Sequence, residues 1–216
     1  MSYQSFESIA KAAKGAGEIS FFNVSNGMKV TFPAFITQFN DNYTVGFSGE
    51  TVFGRSDPVK HYQSTSRQIQ AAFDVLGYSK EKALENFQNY AKMIQMLYPV
   101  YSNPMTSHNL ARTIKAPPLW RIKYANYISS TNPNGLLGAV SGLAFSPKFE
   151  SGHFLSQEGE MIPLVYSVSF NFEPLHEQPL GTNAGSDQFL ASDFPYNQRV
   201  IAQTPAPIPA SPGSDT

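Results

Sequence analysis

Two stretches of this chain place apolar side chains at every second position, and that spacing decides what it can fold into. From Leu164 to Glu173, residues Leu164, Tyr166, Val168, Phe170 and Phe172 point one way, while Val165, Ser167, Ser169, Asn171 and Glu173 point the other. From Tyr62 to Val75, residues Thr65, Arg67, Ile69, Ala71, Phe73 and Val75 alternate with Ser66, Gln68, Gln70 and Asp74. A period of two belongs to a pleated strand with a single buried face. Such a face needs a second layer to cover it. At 216 residues the chain is long enough to bury roughly 70% of its unfolded surface as one unit.

The remaining elements are consistent with that sheet. Ile19–Val24 and Met28–Phe32 flank Asn26-Gly27, the dipeptide that supplies two positive φ angles, so a hairpin with a type I′ turn is expected. Pro33 lacks an N–H, so the run Ala34–Phe39 should continue past a bend or along an edge. Asp41-Asn42 reads as the next turn. A short strand broken by Gly46, Gly49 and Gly54 follows, and then a loop to Pro58. Leu119–Ile128 alternates Trp120, Ile122, Tyr124 and Ile128 with Arg121, Lys123 and Ala125, a strand with a cationic outer face. The turn 132–135 leads into Leu136–Phe145, whose glycines imply close backbone approach.

One convincing helix spans 80–98. Ser79 is its N-cap, Glu81 sits in the first turn, Pro99 ends it, and Ala83, Phe87, Tyr90, Ala91, Ile94, Leu97 and Tyr98 recur on one face. A short helix over Phe6–Lys14 and a functional or mobile loop over 99–118 complete the pattern. The chain therefore divides into an N-terminal arm or short helix (1–17), a β domain (18–181), and a linker with a Pro/Ala-rich extended tail (182–216). The expected class is mainly β with one packed helix.

Composition narrows the chemistry. Charged residues are 14% of the chain and the net charge is -1, so no global field favours nucleic acid or an anionic membrane. No apolar run reaches the length of a secretory signal or a membrane span. With no cysteine, disulfides, thiolate metal sites and a Cys nucleophile are excluded; a reducing compartment and a particle that crosses redox environments both fit. His176-Glu177 opens like a zinc-protease motif, but Leu180 stands where the second histidine belongs and Pro179 interrupts the helix. Ser8-Ile-Ala-Lys11 matches Ser-x-x-Lys without its companion motifs, and no phosphate-binding glycine loop occurs. No catalytic residue, metal or cofactor is expected. Glu150, Glu158, Glu160, Glu173 and Glu177 gather in the second β block and are expected to be solvated. Arg121 and Lys123, with Arg112, Lys115 and Tyr124 nearby, suit either a phosphate backbone or a salt bridge to a neighbouring subunit. An aromatic content of 13% beside so little charge suits extensive protein contacts.

Several runs together resemble the baseplate hub or tail-tube-initiator proteins of contractile-tailed bacteriophages. They are Phe35-Ile-Thr-Gln-Phe-Asn-Asp-Asn-Tyr43, Val52-Phe-Gly-Arg-Ser-Asp-Pro58, Tyr62–Ile69, Leu119-Trp-Arg-Ile-Lys-Tyr-Ala-Asn126, Gly135–Gly138, Glu150-Ser-Gly-His-Phe154 and Val168-Ser-Phe-Asn-Phe172. The resemblance covers about 31–181. It implies a tail-tube-like β barrel or sandwich with a flanking helix, assembled as a homo-hexameric ring between tube and hub. Implied partners are the tail tube protein and the hub and wedge proteins, with genomic DNA passing through the lumen unbound. Implied location is the virion, after assembly in the host cytoplasm. On this resemblance Arg55 and Asp57 fix a loop or an inter-subunit contact, Arg67 is an interface residue, and Arg121 and Lys123 face the lumen or a neighbour. The competing class is a glycan- or cell-wall-binding β module using exposed aromatics. A hydrolase built on Glu150, Glu173 or Glu177 ranks third.

Overall fold

A computed structural model describes residues 17–102, 113–155, 159–185, 188–191 and 194–196. The expected helix over Phe6–Lys14 and the Pro/Ala-rich stretch lie outside them. Strands β1 (Glu18–Asn23) and β2 (Lys29–Pro33) form the expected hairpin, from Glu18↔Pro33 to Phe22↔Lys29. Its turn is not type I′. Gly27 has φ 72° while Asn26 does not enter the left-handed region, and the loop closes through the Gly27 N–H to the Asn23 carbonyl and the Asn23 N–H to the Met28 carbonyl, each 2.9 Å. The cause is the Asn23 side chain, which is 1% exposed. Its Oδ1 accepts from the Ser25 and Asn26 backbone N–H groups at 2.8 and 3.2 Å, while Nδ2 donates to the Met96 carbonyl at 2.9 Å. A side chain that organises its own following backbone overrides the two-residue turn.

Strand β3 (Phe35–Glu50) runs through the position where a turn at Asp41-Asn42 was expected. It also absorbs Gly46 and Gly49, so the short broken strand after that turn does not exist. The partner is β4 (Val59–Leu76), paired from Phe35↔Asp74 to Glu50↔Val59 with irregularities at Ile36/Gln38 and Gly46/Phe47. A long ladder outweighs the turn preference of two residues, and the second irregularity falls beside a glycine that bends at low cost.

Helix α1 (Lys80–Gln95) begins at Ser79, whose side chain accepts from the Lys82 N–H at 3.2 Å, and turn residues follow it to Pro99. Its buried face is Ala83, Asn86, Tyr90 and Met93, with Met96 just beyond. That is one position round from the expected face, and it leaves Ala91 and Ile94 exposed. Polar pinning causes the rotation: Tyr166 Oη donates to the Asn86 carbonyl at 3.0 Å, and Asn86 Nδ2 donates to the Leu76 carbonyl at 3.4 Å. The flexible methionines then fill the gaps that result.

The rest of the chain adds β5 (Val100–Tyr101) and β6 (Ile114–Ala116), a small pair, then β7 (Leu119–Tyr124) and β8 (Leu136–Pro147). A single 3-10 turn, Phe149–Ser151, leads to β9 (His153–Leu155) and β10 (Met161–Pro163), a second small pair, and β11 (Val165–Pro174) closes the order. β11 buries Tyr166, Val168, Phe170 and Phe172, as its alternation requires. At Gly138 of β8 a Cβ would lie 2.3 Å from the Glu173 carbonyl oxygen and 2.7 Å from the Phe172 ring, the close approach that the glycines announce.

The main sheet has seven antiparallel strands in the order β2-β1-β7-β8-β11-β4-β3. It curls strongly. Phe32 of β2 and Phe73 of β4, five places apart in that order, bring their rings within 6.0 Å, and Phe21 touches Phe32, Phe73, Trp120 and Phe170 at 5.4–6.2 Å. These rings and the helix face enclose one core. The fold is thus mainly β with one packed helix. The sheet is nevertheless open: among the described residues no ladder joins its edge strands β2 and β3, so of the barrel or sandwich expected, the described residues do not form a closed barrel.

Candidate functional site

β11 pairs with β4 only from Ile69 to Leu76. Nearer its start β4 has β3 alone, so the two strands leave the body as a two-stranded arm tipped by the loop 51–58. The arm keeps the alternation of the core. Tyr43, Val45 and Phe47 of β3 share a face with Tyr62, Thr65 and Arg67 of β4, and the Phe47 and Tyr62 rings meet edge-on at 6.1 Å. The opposite face carries Thr44, Gly46, Ser48, Ser64 and Ser66. Phe47 is 56% and Tyr62 62% exposed, and Phe53 at the tip is fully exposed. A strand pair with one apolar face and no layer over it is an unfinished sandwich.

Where arm meets body, Arg67 and Asp41 form a buried ion pair, each side chain 3% exposed. Arg67 Nε donates to Asp41 Oδ1 at 2.9 Å and Nη2 to Oδ2 at 2.7 Å. Asp41 Oδ2 also accepts from the Tyr43 and Tyr196 hydroxyls, both at 3.0 Å. Burial pushes the Asp41 carboxyl up, but the Arg67 guanidinium and the two phenols outweigh it and hold the group below the usual carboxylate range. The same burial raises the Tyr43 and Tyr196 phenols. The guanidinium lies over both the Tyr43 and Phe194 rings, 5.4 and 5.3 Å from their centroids, and the two rings meet edge-on at 6.0 Å. Phe194 also meets His176 edge-on at 5.2 Å. Burial and then the Arg67 charge hold His176 below the usual imidazole range, against a smaller opposing effect of Asp41. A shallow cleft beside the pair is lined by Ser129, Thr131, His176, Gln178 and Phe194.

The residues singled out from sequence therefore separate. Arg67 is engaged inside the chain. So is Arg121: its Nη1 and Nη2 donate to Glu177 Oε2 and Oε1 at 2.8 and 2.6 Å, and Nη1 also reaches the Gly135 carbonyl at 3.3 Å. The hydrogen bonds from Arg121 hold the Glu177 carboxyl below its usual range, which keeps it an anion. Lys123 is exposed, and its Nζ donates to the Pro133 carbonyl at 3.4 Å. Arg55 and Asp57 stand exposed in the tip loop, and neither has an ion-pair partner among the described residues. Of the other basic neighbours, Lys115 is exposed on β6 and Arg112 lies outside the described residues. Glu150, Glu160 and Glu173 are exposed, and Glu158 lies outside the described residues.

Four participants escaped the sequence reading. Asp41 was assigned to a turn, and Asn23 to an ordinary hairpin end. Phe194 and Tyr196 lie within 182–216, read as linker and extended tail; the signal for them is two aromatics flanking Pro195, a few residues after Phe189-Leu190. A further, half-exposed ion pair joins Lys148 Nζ to Asp74 at 2.6 Å, with Ser167 Oγ donating to the other carboxylate oxygen. Among the described residues, no group of three His, Asp or Glu is placed to hold a metal, and no helix is long and apolar enough to cross a membrane.

No family model matches the chain, and no curated protein matches it. Among solved structures it is similar to the SPP1 Dit (gp 19.1) protein, described as a paradigm of the hub adsorption apparatus in phages that infect Gram-positive bacteria. The identity is 11% and the TM-score 0.39, over 76% of this chain and 52% of that one. The chain thus spans about half the length of that protein, and a likeness this distant assigns no family.

Proposed function

We propose that this chain is a structural protein of a contractile phage tail, a non-enzymatic component that forms a homo-hexameric ring joining the baseplate hub to the tail tube and starts tube assembly. Its partners on this reading are further copies of itself, the tail tube protein, and hub and wedge proteins, with DNA passing through the lumen without specific contacts. The sequence resemblance supplies the identity of the assembly. The observation that carries the reading is the β3–β4 arm, whose apolar face is continuous with the core and, beyond the part near Tyr43 and Arg67 that Phe194 covers, is left exposed at Val45, Phe47 and Tyr62. An open sheet whose edge strands β2 and β3 have no further ladder partner among the described residues has the same need, because unpaired edge strands in a ring are completed by the next subunit. Arg55, Asp57 and Lys123, exposed and without ion-pair partners among the described residues, are the charged candidates for contact with neighbours or lumen. Arg67 and Arg121 brace the fold that presents them.

The test is light scattering coupled to size exclusion, on the protein alone and mixed with the tail tube protein from the same genome. A ring-sized species, or a complex formed only in the mixture, is the expected result. A persistent monomer that ignores tube protein overturns the reading.

A further inference from the structure

The arm has a counterpart on the same chain that it cannot reach. At the other end of β4, beyond Leu76, the small β9–β10 sheet packs beside the start of α1, tied by the Gly77 N–H to the Leu164 carbonyl at 2.8 Å and the Leu164 N–H to the Gly152 carbonyl at 3.1 Å. This flap exposes a second apolar patch. Leu155 and Met161 are a cross-strand pair, 62% and 49% exposed, and Phe149 in the preceding turn is 55% exposed. Along β4, Tyr62 and Leu76 are separated by about 45 Å at ~3.3 Å per residue. Arm and flap therefore stand at opposite ends of one rigid strand.

We propose that the apolar face of the arm in one copy docks on the β9–β10 flap and the adjoining surface of α1 in the next copy, head to tail. This rests on the ring reading above and names the contact that builds the ring. Area supports a second copy as the occupant. Tyr43, Phe47, Phe53 and Tyr62 are 42%, 56%, 105% and 62% exposed, which at 150–250 Å² per aromatic side chain amounts to about 500 Å². A standard interface takes about 800 Å² from each partner, so the rings alone supply more than half of one side. Arm-to-arm pairing brings like tips together and leaves the flap bare. Arm-to-flap pairing uses both patches once per copy, which is the heterologous contact that closes into rings.

The chain has no cysteine, so introduced thiols report single contacts. Phe47→Cys with Leu155→Cys in one chain is oxidised alone and with tube protein, and Tyr62→Cys with Met161→Cys serves as a second pair should the first disturb folding. The expected result is a ladder of disulfide-linked multimers, while mixing the two single variants gives dimers only. Dimers formed as efficiently by Phe47→Cys alone overturn the inference in favour of arm-to-arm contact. A ring-sized particle that neither pair cross-links also overturns it, because the arm then lands elsewhere, and the ring reading stands. A persistent monomer removes both.

Discussion

Replacing Arg67 by alanine tests whether the buried ion pair holds the chain together. In the intact protein both side chains are 3% exposed and meet through two hydrogen bonds, with two phenols on the same carboxylate. Arg67→Ala leaves Asp41 buried with only the phenols as donors, and stranding one member of a buried pair costs about 3–5 kcal/mol. For a chain of this size that is a fall in Tm of about 6–20 °C. Asp41→Asn keeps an acceptor for the phenols but strands the guanidinium, so it belongs to the same range. Arg67→Met with Asp41→Leu removes both charges at similar volume and should recover most of the loss, since an apolar replacement of a whole buried pair is often neutral or stabilising.

The assay is urea unfolding of the wild type, both single variants and the double variant. The sign of the pH dependence is fixed in advance. The folded pKa of Asp41 is depressed, so its contribution is fully present above the unfolded carboxylate value, about 3.9, and is lost as pH falls through the lower folded value. Wild-type stability should therefore fall more steeply below pH 4 than that of the Arg67→Met, Asp41→Leu variant. A loss under 1 kcal/mol for Arg67→Ala at pH 7, or additive single and double variants, refutes the reasoning. So does a variant that folds like wild type and fails only in assembly, which would make Arg67 an interface residue after all.

Other perturbations address single links of the argument. Asn23→Ala removes the side chain that shapes the β1–β2 loop and pins the end of α1, and a loss of about 1–3 kcal/mol in chemical unfolding is expected; a change below 0.5 kcal/mol means the backbone makes that loop unaided. Gly138→Ala pushes a methyl against the Glu173 carbonyl and Phe172 ring, so a thermal melt should show about 1–3 kcal/mol of destabilisation, and an unchanged midpoint refutes the close approach. Glu177→Gln weakens a pair whose carboxylate side chain is 45% exposed; its effect should be under about 1 kcal/mol and shrink further in high salt. Truncation after Leu190 deletes Phe194 and Tyr196 and should lower the melting midpoint, whereas deleting only 204–216 should not, as paired calorimetric scans will show.

The parts of the fold that could be read from sequence were those fixed by local chemistry. Ser79 caps α1 because a side-chain oxygen meets an orphan N–H wherever a helix starts. β11 alternates because one face is buried along its whole length. The misread parts depended on partners distant in sequence. Asp41-Asn42 has turn chemistry, but Arg67, 26 residues away, takes the Asp41 carboxylate and β4 takes its backbone. The α1 face shifted by one position because Tyr166 and Leu76 anchor Asn86. Phe194 and Tyr196 were passed over because a short aromatic segment between small residues acquires meaning only against the surface it covers.

Arg67 shows why the candidate site was the hardest feature to read. In sequence it is one member of an unbroken alternation from Thr65 to Val75, with nothing to mark it as a boundary. In the structure the buried face ends there: Ile69, Ala71, Phe73 and Val75 face the chain's own core, and Thr65 and Tyr62 face outward on the arm. Period two reports that a strand face is meant to be covered, but it does not report what covers it. A buried ion pair at the border gives the border a fixed register, because a one-residue slip of β3 on β4 turns Asp41 away from Arg67. The arm is thereby held in one alignment with the body, the condition under which an uncovered apolar face, 14 residues of strand from the flap, presents a partner with one geometry instead of many.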